Sequence, residues 1–433
     1  MLDDVKALAF VVAAALALGG CTSASTSATE TSATLEETVP PTQAVGAFRH
    51  PGKIKLAVPV PRVLGAMTKT DGIYTAPWGR GTAKLTLDVP LHDALALDLR
   101  MGRPQWGATV IIDVKTGKIL ALSEHSEREP NMPGAATRPL GKAASVFKIV
   151  TASALVRAGV PLSKEVCFSG GKTRMKMKNL VDEGGGRCVR FEDVVPYSAN
   201  VAMAKLAGRF ITPALLTEET QLFGFGAGES LAIDLEVQPS TALIPEDLFG
   251  FASAAAGFGE VRLSALHGAA IAAMVGNGGV MVPPRLIESV DGEIMPMPRE
   301  SMQVLDEQHA AVLQAMMSAA VSRGTAYNAF HTLRRSPYGR PVVVDVPVAG
   351  KTGSLTDRDV DLDTTWFVGT APAHDPKIAI ATVIINDEWI WHVRALDVAT
   401  RAVATYFRLH PEDARESDAV ARGPGDDDKS SPQ

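Results

Sequence analysis

The chain has 433 residues, 46% of them hydrophobic and 21% charged, which is ordinary globular composition with ample apolar material for a core. The length exceeds the usual allowance for one domain, although large α/β enzymes reach it. A net charge of −6 without any dense block of Lys or Arg leaves no electrostatic footprint for nucleic acid.

First in chain order comes an apolar run from Ala7 to Leu18. It has the length of a signal-peptide core and falls short of the ~20 residues that a spanning helix needs. It reads as an export signal. Leu18-Gly19-Gly20-Cys21 follows directly and resembles a bacterial lipoprotein signal. The resemblance implies that Cys21 becomes a lipidated N-terminus and holds the exported, periplasmic or extracytoplasmic protein to a membrane. The single Lys6, offset by Asp3 and Asp4, and the residue Gly19 depart from that pattern, so a plain cleaved signal or an uncleaved anchor are the alternatives. Residues 22–60, rich in Ser, Thr, Ala and Pro, read as a flexible tether. Residues 61–84 read as a short N-terminal segment before a catalytic domain over 85–410, and 411–433 as a disordered acidic tail.

Between the tails the pattern is α/β. Ala108 to Val114 and Lys118 to Leu122 are apolar β-rich runs joined by Lys115-Thr116-Gly117, which predicts a hairpin. Helices are predicted from about Ser145 to Ala158, after Asn200, from Leu263 to Val275 and from Glu307 to Ser322. Strands follow at Val342 to Ser354, Thr365 to Thr370 and Ile378 to Ile385, and an amphipathic helix at Ala395 to Leu409 closes the domain. Such an order predicts one sheet assembled from both chain ends, with helices on its faces. With Cys21 lipidated, Cys167 and Cys188 remain as a pair on either side of the polar loop Phe168 to Arg187. An oxidising compartment permits a disulfide there, and two unrelated buried thiols are the alternative.

Three short motifs occur in order: Ser145-Val146-Phe147-Lys148, Ser198-Ala199-Asn200 and Lys351-Thr352-Gly353. The first and third have rivals, Ser169 to Lys172 and Lys115 to Gly117, so context must decide. Ser145 opens a nearly all-apolar helical segment, and a spacing of three puts Ser145 and Lys148 on one face. Ser169-Gly170-Gly171-Lys172 is Gly-rich loop with nothing to hold serine against lysine. Lys115-Thr116-Gly117 serves a hairpin turn, whereas Lys351-Thr352-Gly353 follows an apolar run and lies along a strand.

The chemistry explains the grouping. A serine hydroxyl attacks only when a base takes its proton, so Lys148 must be neutral to activate Ser145. Burial and the nearby cation Lys351 both push its pKa down. Ser198 can relay the proton to a leaving amine, and Asn200 offers a donor and an acceptor to a substrate amide. Lys351 and Thr352 suit a terminal carboxylate. Gly353 lets the backbone pass close to substrate, with the N–H groups of Ser145 and Ser354 as an oxyanion hole.

This ordered set resembles the transpeptidase domain of penicillin-binding proteins and related serine β-lactamases. The likeness spans about residues 85–408 and includes Leu85-Thr86-Leu87-Asp88, Gly107 to Leu122, Ala256-Gly257-Phe258-Gly259, Asn277-Gly278-Gly279 and Trp366-Phe367-Val368-Gly369. The resemblance implies an antiparallel sheet of about five strands with helices on both faces and an all-helical subdomain. It implies acyl transfer on D-Ala-D-Ala stem peptides of peptidoglycan, β-lactams as ligands, cell-wall synthesis proteins as partners, and no cofactor. The family usually has Pro-Gly before the serine and Thr after it, where this chain has Ala143-Ala144 and Val146. Ser354 stands where Thr is commoner. A glycosyltransferase domain is not expected in this length, and residues 22–84 are too few for the large N-terminal pedestal that would otherwise be expected. A D,D-carboxypeptidase or endopeptidase, a serine β-lactamase and a non-catalytic β-lactam sensor or scaffold are the competing readings. No metal is expected, because the nine histidines are scattered without an HExxH pattern. His267 and Met316-Met317 read as core residues.

Overall fold

The structure, a computed structural model, describes residues 60–415 apart from short stretches at 131–133, 171–174, 182–185, 228–230, 232–233, 235–236, 296–299, 333, 336–340, 358–360 and 388–392. The signal segment, Cys21, the tether and the tail beyond 415 lie outside the described residues.

A five-stranded sheet runs in the order Ala349–Asp357, Leu362–Ala371, Ile378–Asp387, Trp106–Asp113, Ile119–His125. Every neighbouring pair is antiparallel, so both chain ends build one sheet, as the pattern of elements predicts. Its middle strands are almost wholly buried, because helices cover both faces. Alternation along a strand then sorts the core. Val110 and Ile112 face one side with Ala269 and Val368, while Ile111 and Ile380 face the other with Leu91, Leu95 and Val403.

The first face carries the helix Ala265–Gly276, buried along its whole length and capped by Ser264, whose hydroxyl accepts from His267 N at 3.2 Å. Its run of Ala and Gly permits close approach: a Cβ on Gly268 would stand 3.2 Å from Ala381 Cβ and from Val368 Cγ2. Beyond it lies a helical lobe containing Lys148–Arg157, Asn200–Phe210, Pro213–Leu222, Leu248–Ala255 and Glu307–Ser322. The opposite face carries Ala395–Leu409 and the helix Val89–Gly102, which the sequence reading did not assign. Its signals were present: Asp88 caps it by accepting from Leu91 N at 3.0 Å, Pro90 follows in the first turn, and Leu91, Leu95 and Leu99 recur every fourth residue. Burying those three leucines contributes about 2 kcal/mol each.

Other differences have local causes. The strand expected from Val342 begins only at Ala349, since Pro347 has no N–H to give a ladder. Segment 61–84 is folded: the helix Val60–Ala66 is followed by strands of a second five-stranded sheet, where Gly81–Leu85 pairs with Ile287–Val290. Thr68–Thr70, Ile73–Trp78 and Gly81–Leu85 pair as successive local hairpins, but they are short and largely exposed, and only Gly81–Leu85 reaches the distant Ile287–Val290, so their apolar pattern is weak. Residues 411–415 are helical rather than part of a tail, with the Tyr406 hydroxyl donating to the Asp413 carboxylate.

Cys167 and Cys188 stand directly opposite each other in the ladder of Glu165–Phe168 with Arg187–Arg190, and their sulfurs are bonded. Both residues are exposed, unlike a pair of buried thiols. Lys205 Nζ donates to Cys167 O at 3.1 Å and so ties this ladder to the helix Asn200–Phe210. For a sequence separation of 21, the chain-entropy model assigns the cross-link roughly 3 kcal/mol. Cys188→Ser is therefore expected to lower the urea-unfolding free energy by about that amount, and an unchanged midpoint would show that the ladder closes without the bond.

Candidate active site

The chain reaches the serine through Gly141–Lys142, and Ala143 N donates to Val261 O at 2.8 Å. Ala144 then adopts a left-handed conformation, φ 49°, which turns the chain into a single 3₁₀ turn, Ala144–Phe147. For a residue bearing a Cβ that conformation costs roughly 1–2 kcal/mol. Ala144 therefore carries strain that a glycine would avoid. Lys148 opens the α-helix Lys148–Arg157. One expected helix is thus a 3₁₀ turn followed by an α-helix. The break matters, because three residues per turn superpose positions i and i+3 and bring Lys148 back over Ser145.

Lys148 is fully buried, while Ser145 is half-buried and open to a ligand. Lys148 Nζ lies 2.8 Å from Ser145 Oγ, 2.8 Å from Asn200 Oδ1 and 2.6 Å from Ala256 O. Desolvation, then the charge of Lys351, hold its pKa well below the ordinary lysine value. A neutral amine has two N–H bonds and one lone pair. Asn200 Oδ1 and the Ala256 carbonyl can accept both hydrogens, which aims the lone pair at the Ser145 hydroxyl.

The wall behind the serine is the segment Ala255 to Phe258. Thr151 Oγ1 donates to Ala255 O at 2.8 Å, and Gly257 sits at φ +89° against the Ala144 carbonyl. A Cβ at Gly257 would come within 2.2 Å of Ala144 O. In the sequence this segment was visible only as part of the family likeness. Its role as acceptor for Lys148 belongs to a backbone carbonyl, which no residue type marks.

Ser198 also has a left-handed backbone, φ 52°, in the tight turn that precedes Asn200 at the start of its helix. Lys351 Nζ donates to Ser198 Oγ at 3.1 Å and to Thr352 O at 2.8 Å. Burial lowers the Lys351 pKa to about 7. Lys351, Thr352, Gly353 and Ser354 all lie on Ala349–Asp357, the edge strand of the central sheet. A Cβ on Gly353 would stand 3.3 Å from both Ala143 O and Val146 Cγ2, so glycine lets this strand press against the serine turn. An extended peptide can add to such an edge as a further strand.

The structure therefore brings Ser145, Lys148 and Asn200 into one hydrogen-bonded group and Lys351 with Ser198 into a second, close enough for the Lys351 charge to act on Lys148, with Thr352, Gly353 and Ser354 beside them. The rivals lie apart from them. Ser169 follows the strand Glu165–Phe168, and Lys172 is outside the described residues. Lys115 lies in a turn held by the Asp113 carboxylate, with Gly117 at φ +68°, and its Nζ donates to Asn277 Oδ1 at 2.9 Å. His267 is buried, its Nε2 2.7 Å from Phe223 O and its pKa lowered to about 4 by burial. Met316 and Met317 are buried in the core. Among the described residues no cluster of His, Cys, Asp or Glu could hold a metal ion, and no helix is long and apolar enough to cross a membrane.

Comparison with known proteins places this arrangement. Residues 107–404 match the model of the penicillin binding protein transpeptidase domain, more than half of the chain. The chain belongs to that family. Penicillin-binding protein PbpB of Mycolicibacterium smegmatis is 29% identical over 342 residues, covering 70% of this chain and 50% of the relative. Peptidoglycan D,D-transpeptidase PbpA of the same organism is 26% identical over 322 residues, covering 65% of this chain and 62% of the relative. The chain thus spans between about half and two thirds of these relatives' length. The crystal structure of PBPA from Mycobacterium tuberculosis superposes with a TM-score of 0.60 at 21% identity, covering 77% of this chain and 82% of that one. The D,D-transpeptidase domain from Eggerthella lenta gives 0.61 at 21% identity, over 79% of this chain and 95% of that one. At such identities these likenesses show the fold.

Proposed function

We propose that this chain is a serine D,D-transpeptidase that cross-links peptidoglycan stem peptides ending in D-Ala-D-Ala. The observation that carries the reading is Lys148 Nζ, buried, low in pKa and 2.8 Å from Ser145 Oγ. The Ser145 proton passes to Lys148 as Oγ attacks the carbonyl carbon of the penultimate D-Ala. The oxyanion is held by the amides of Ser145 and Ser354, worth roughly 3 kcal/mol per donor in other serine enzymes. The proton then reaches the departing D-Ala nitrogen through Ser198, and the acyl group stays on Ser145. An acceptor amine attacks next, gives up a proton by the same route and leaves with the new amide. Lys351 and Thr352 bind the donor's carboxylate and Asn200 its amide. Penicillin-binding protein A from Mycobacterium tuberculosis, similar in fold, is known as an imipenem acyl-enzyme complex, which supports β-lactams as ligands here.

The deciding assay is turnover of a D-Ala-D-Ala pentapeptide with and without an acceptor amine. Transfer to the amine is expected. Hydrolysis alone would make the chain a carboxypeptidase, and no release of D-Ala would overturn the reading. With Lys351 at about 7, its charge is present below that pH and lost above it. Capture of the anionic donor, read as kcat/KM, should therefore fall as pH rises through about 7, and a flat profile would remove Lys351 from carboxylate binding.

The same reading makes the protein extracytoplasmic and held to a membrane through lipidated Cys21, beside other cell-wall synthesis proteins. It is supported by the short apolar run ending at Leu18-Gly19-Gly20-Cys21. Mass spectrometry of the mature protein should find a diacylglyceryl group on an N-terminal Cys21, and an unmodified thiol there would exclude the anchor.

A further inference from the structure

A second threonine touches the edge strand from outside the three motifs. Thr325 Oγ1 lies 2.7 Å from Thr352 Oγ1, so one hydroxyl donates to the other. Thr325 is exposed and Thr352 is half-buried, which leaves both within reach of a ligand. The turn that carries Thr325 follows the helix Glu307–Ser322 and is fastened to the loop that carries Ser198. Thr325 N donates to Pro196 O at 3.2 Å, and Arg323 donates to Asp193 at 2.6 Å and to the Tyr197 hydroxyl at 3.2 Å. At Gly324 a Cβ would come within 2.3 Å of Pro196 O, so the turn seats only because that residue is glycine.

We propose that Thr325 is a positioning residue that orients the Thr352 hydroxyl toward the donor's terminal carboxylate, and so selects donors that end in a free carboxylate. The inference rests on the transpeptidase reading above. A hydroxyl has one hydrogen. For Thr352 to give its hydrogen to the carboxylate, its contact with Thr325 must be one in which Thr352 accepts. Thr325 is then the donor, and accepting that bond polarises the Thr352 O–H and strengthens its bond to the anion. Without Thr325 the Thr352 hydroxyl rotates freely between water and ligand.

The test is a double-mutant cycle of Thr325→Val, Thr352→Val and the double variant, read as steady-state kinetics on a D-Ala-D-Ala pentapeptide, with Thr325→Ser as rescue. Losing one hydrogen bond of this kind should raise KM about three- to tenfold in Thr325→Val while kcat changes less than about twofold. Thr325→Ser should restore KM. In the Thr352→Val background, adding Thr325→Val should cost nothing more. An unchanged KM in Thr325→Val, or an equal loss in both backgrounds, overturns the proposal. A wild type inert on the pentapeptide rejects the transpeptidase reading and takes this inference with it. A wild type that turns over normally beside an unaffected Thr325→Val rejects this inference alone.

Discussion

Lys148→Met is expected to abolish penicillin labelling of Ser145, slowing acylation by about 10⁴-fold or more, while leaving a folded protein. Methionine nearly fills the lysine's volume but cannot take the serine proton. Two opposing terms keep the fold close to wild type. Removing the amine relieves the desolvation that depresses its pKa, whereas Asn200 Oδ1 and Ala256 O each lose a donor at about 1–3 kcal/mol. The pH dependence separates them. In the native protein the amine is neutral over a range where the unfolded lysine is protonated, so wild-type stability falls as pH drops from the ordinary lysine range toward the depressed value. The methionine variant lacks that slope. Fluorescent penicillin followed by peptide mapping reads the chemistry, and thermal melts at several pH values read the fold. Ser145→Ala should likewise lose the label and Ser169→Ala should keep it. Undiminished labelling of either Lys148→Met or Ser145→Ala would remove Lys148 and Ser145 from the roles given them here.

The second large effect is expected at Gly257, which lies against the Ala144 carbonyl behind the serine. Gly257→Ala places a methyl 2.2 Å from Ala144 O and 3.1 Å from Ser145 N, at a φ of +89°. The backbone of the serine turn must shift, because neither a carbonyl nor an amide can rotate away. Stability should fall by about 2–4 kcal/mol. A displacement near 1 Å at the nucleophile costs about 100-fold in rate. The control is Gly72→Ala, at φ +79° with nothing within 4 Å, which carries the backbone strain without the clash and should acylate normally. Urea unfolding and the second-order rate of penicillin acylation measure both effects. Wild-type acylation by folded Gly257→Ala would show that the Ala144 peptide does not position the serine.

Much of this molecule could be read along the chain. The helices Glu307–Ser322 and Ala395–Leu409 lie where the apolar spacing put them, because each shows one face to the core and the other to water. The choice of Ser145 over Ser169 followed from local context, apolar helix against Gly-rich loop, and the pairing of Cys167 with Cys188 from counting thiols. Two elements were lost for different reasons. The helix Val89–Gly102 had a cap, a proline and a leucine stripe, and was legible. The second sheet was not, since its strands are short and largely exposed and Gly81–Leu85, beyond its local hairpin with Ile73–Trp78, is joined to the distant Ile287–Val290.

The sequence by itself determined which side chains carry the chemistry and in what order they come, because side-chain identity and spacing within a turn or two are local properties. The tertiary structure alone decided where that chemistry meets. It put Lys351 on an edge strand, set the Ala256 carbonyl on Lys148 Nζ, pressed Gly257 against Ala144 and laid Thr325 on Thr352. These contacts join residues far apart in the chain, and two of them involve backbone groups that every residue possesses. Only the packing of the helical lobe on the sheet selects which of those groups face the serine.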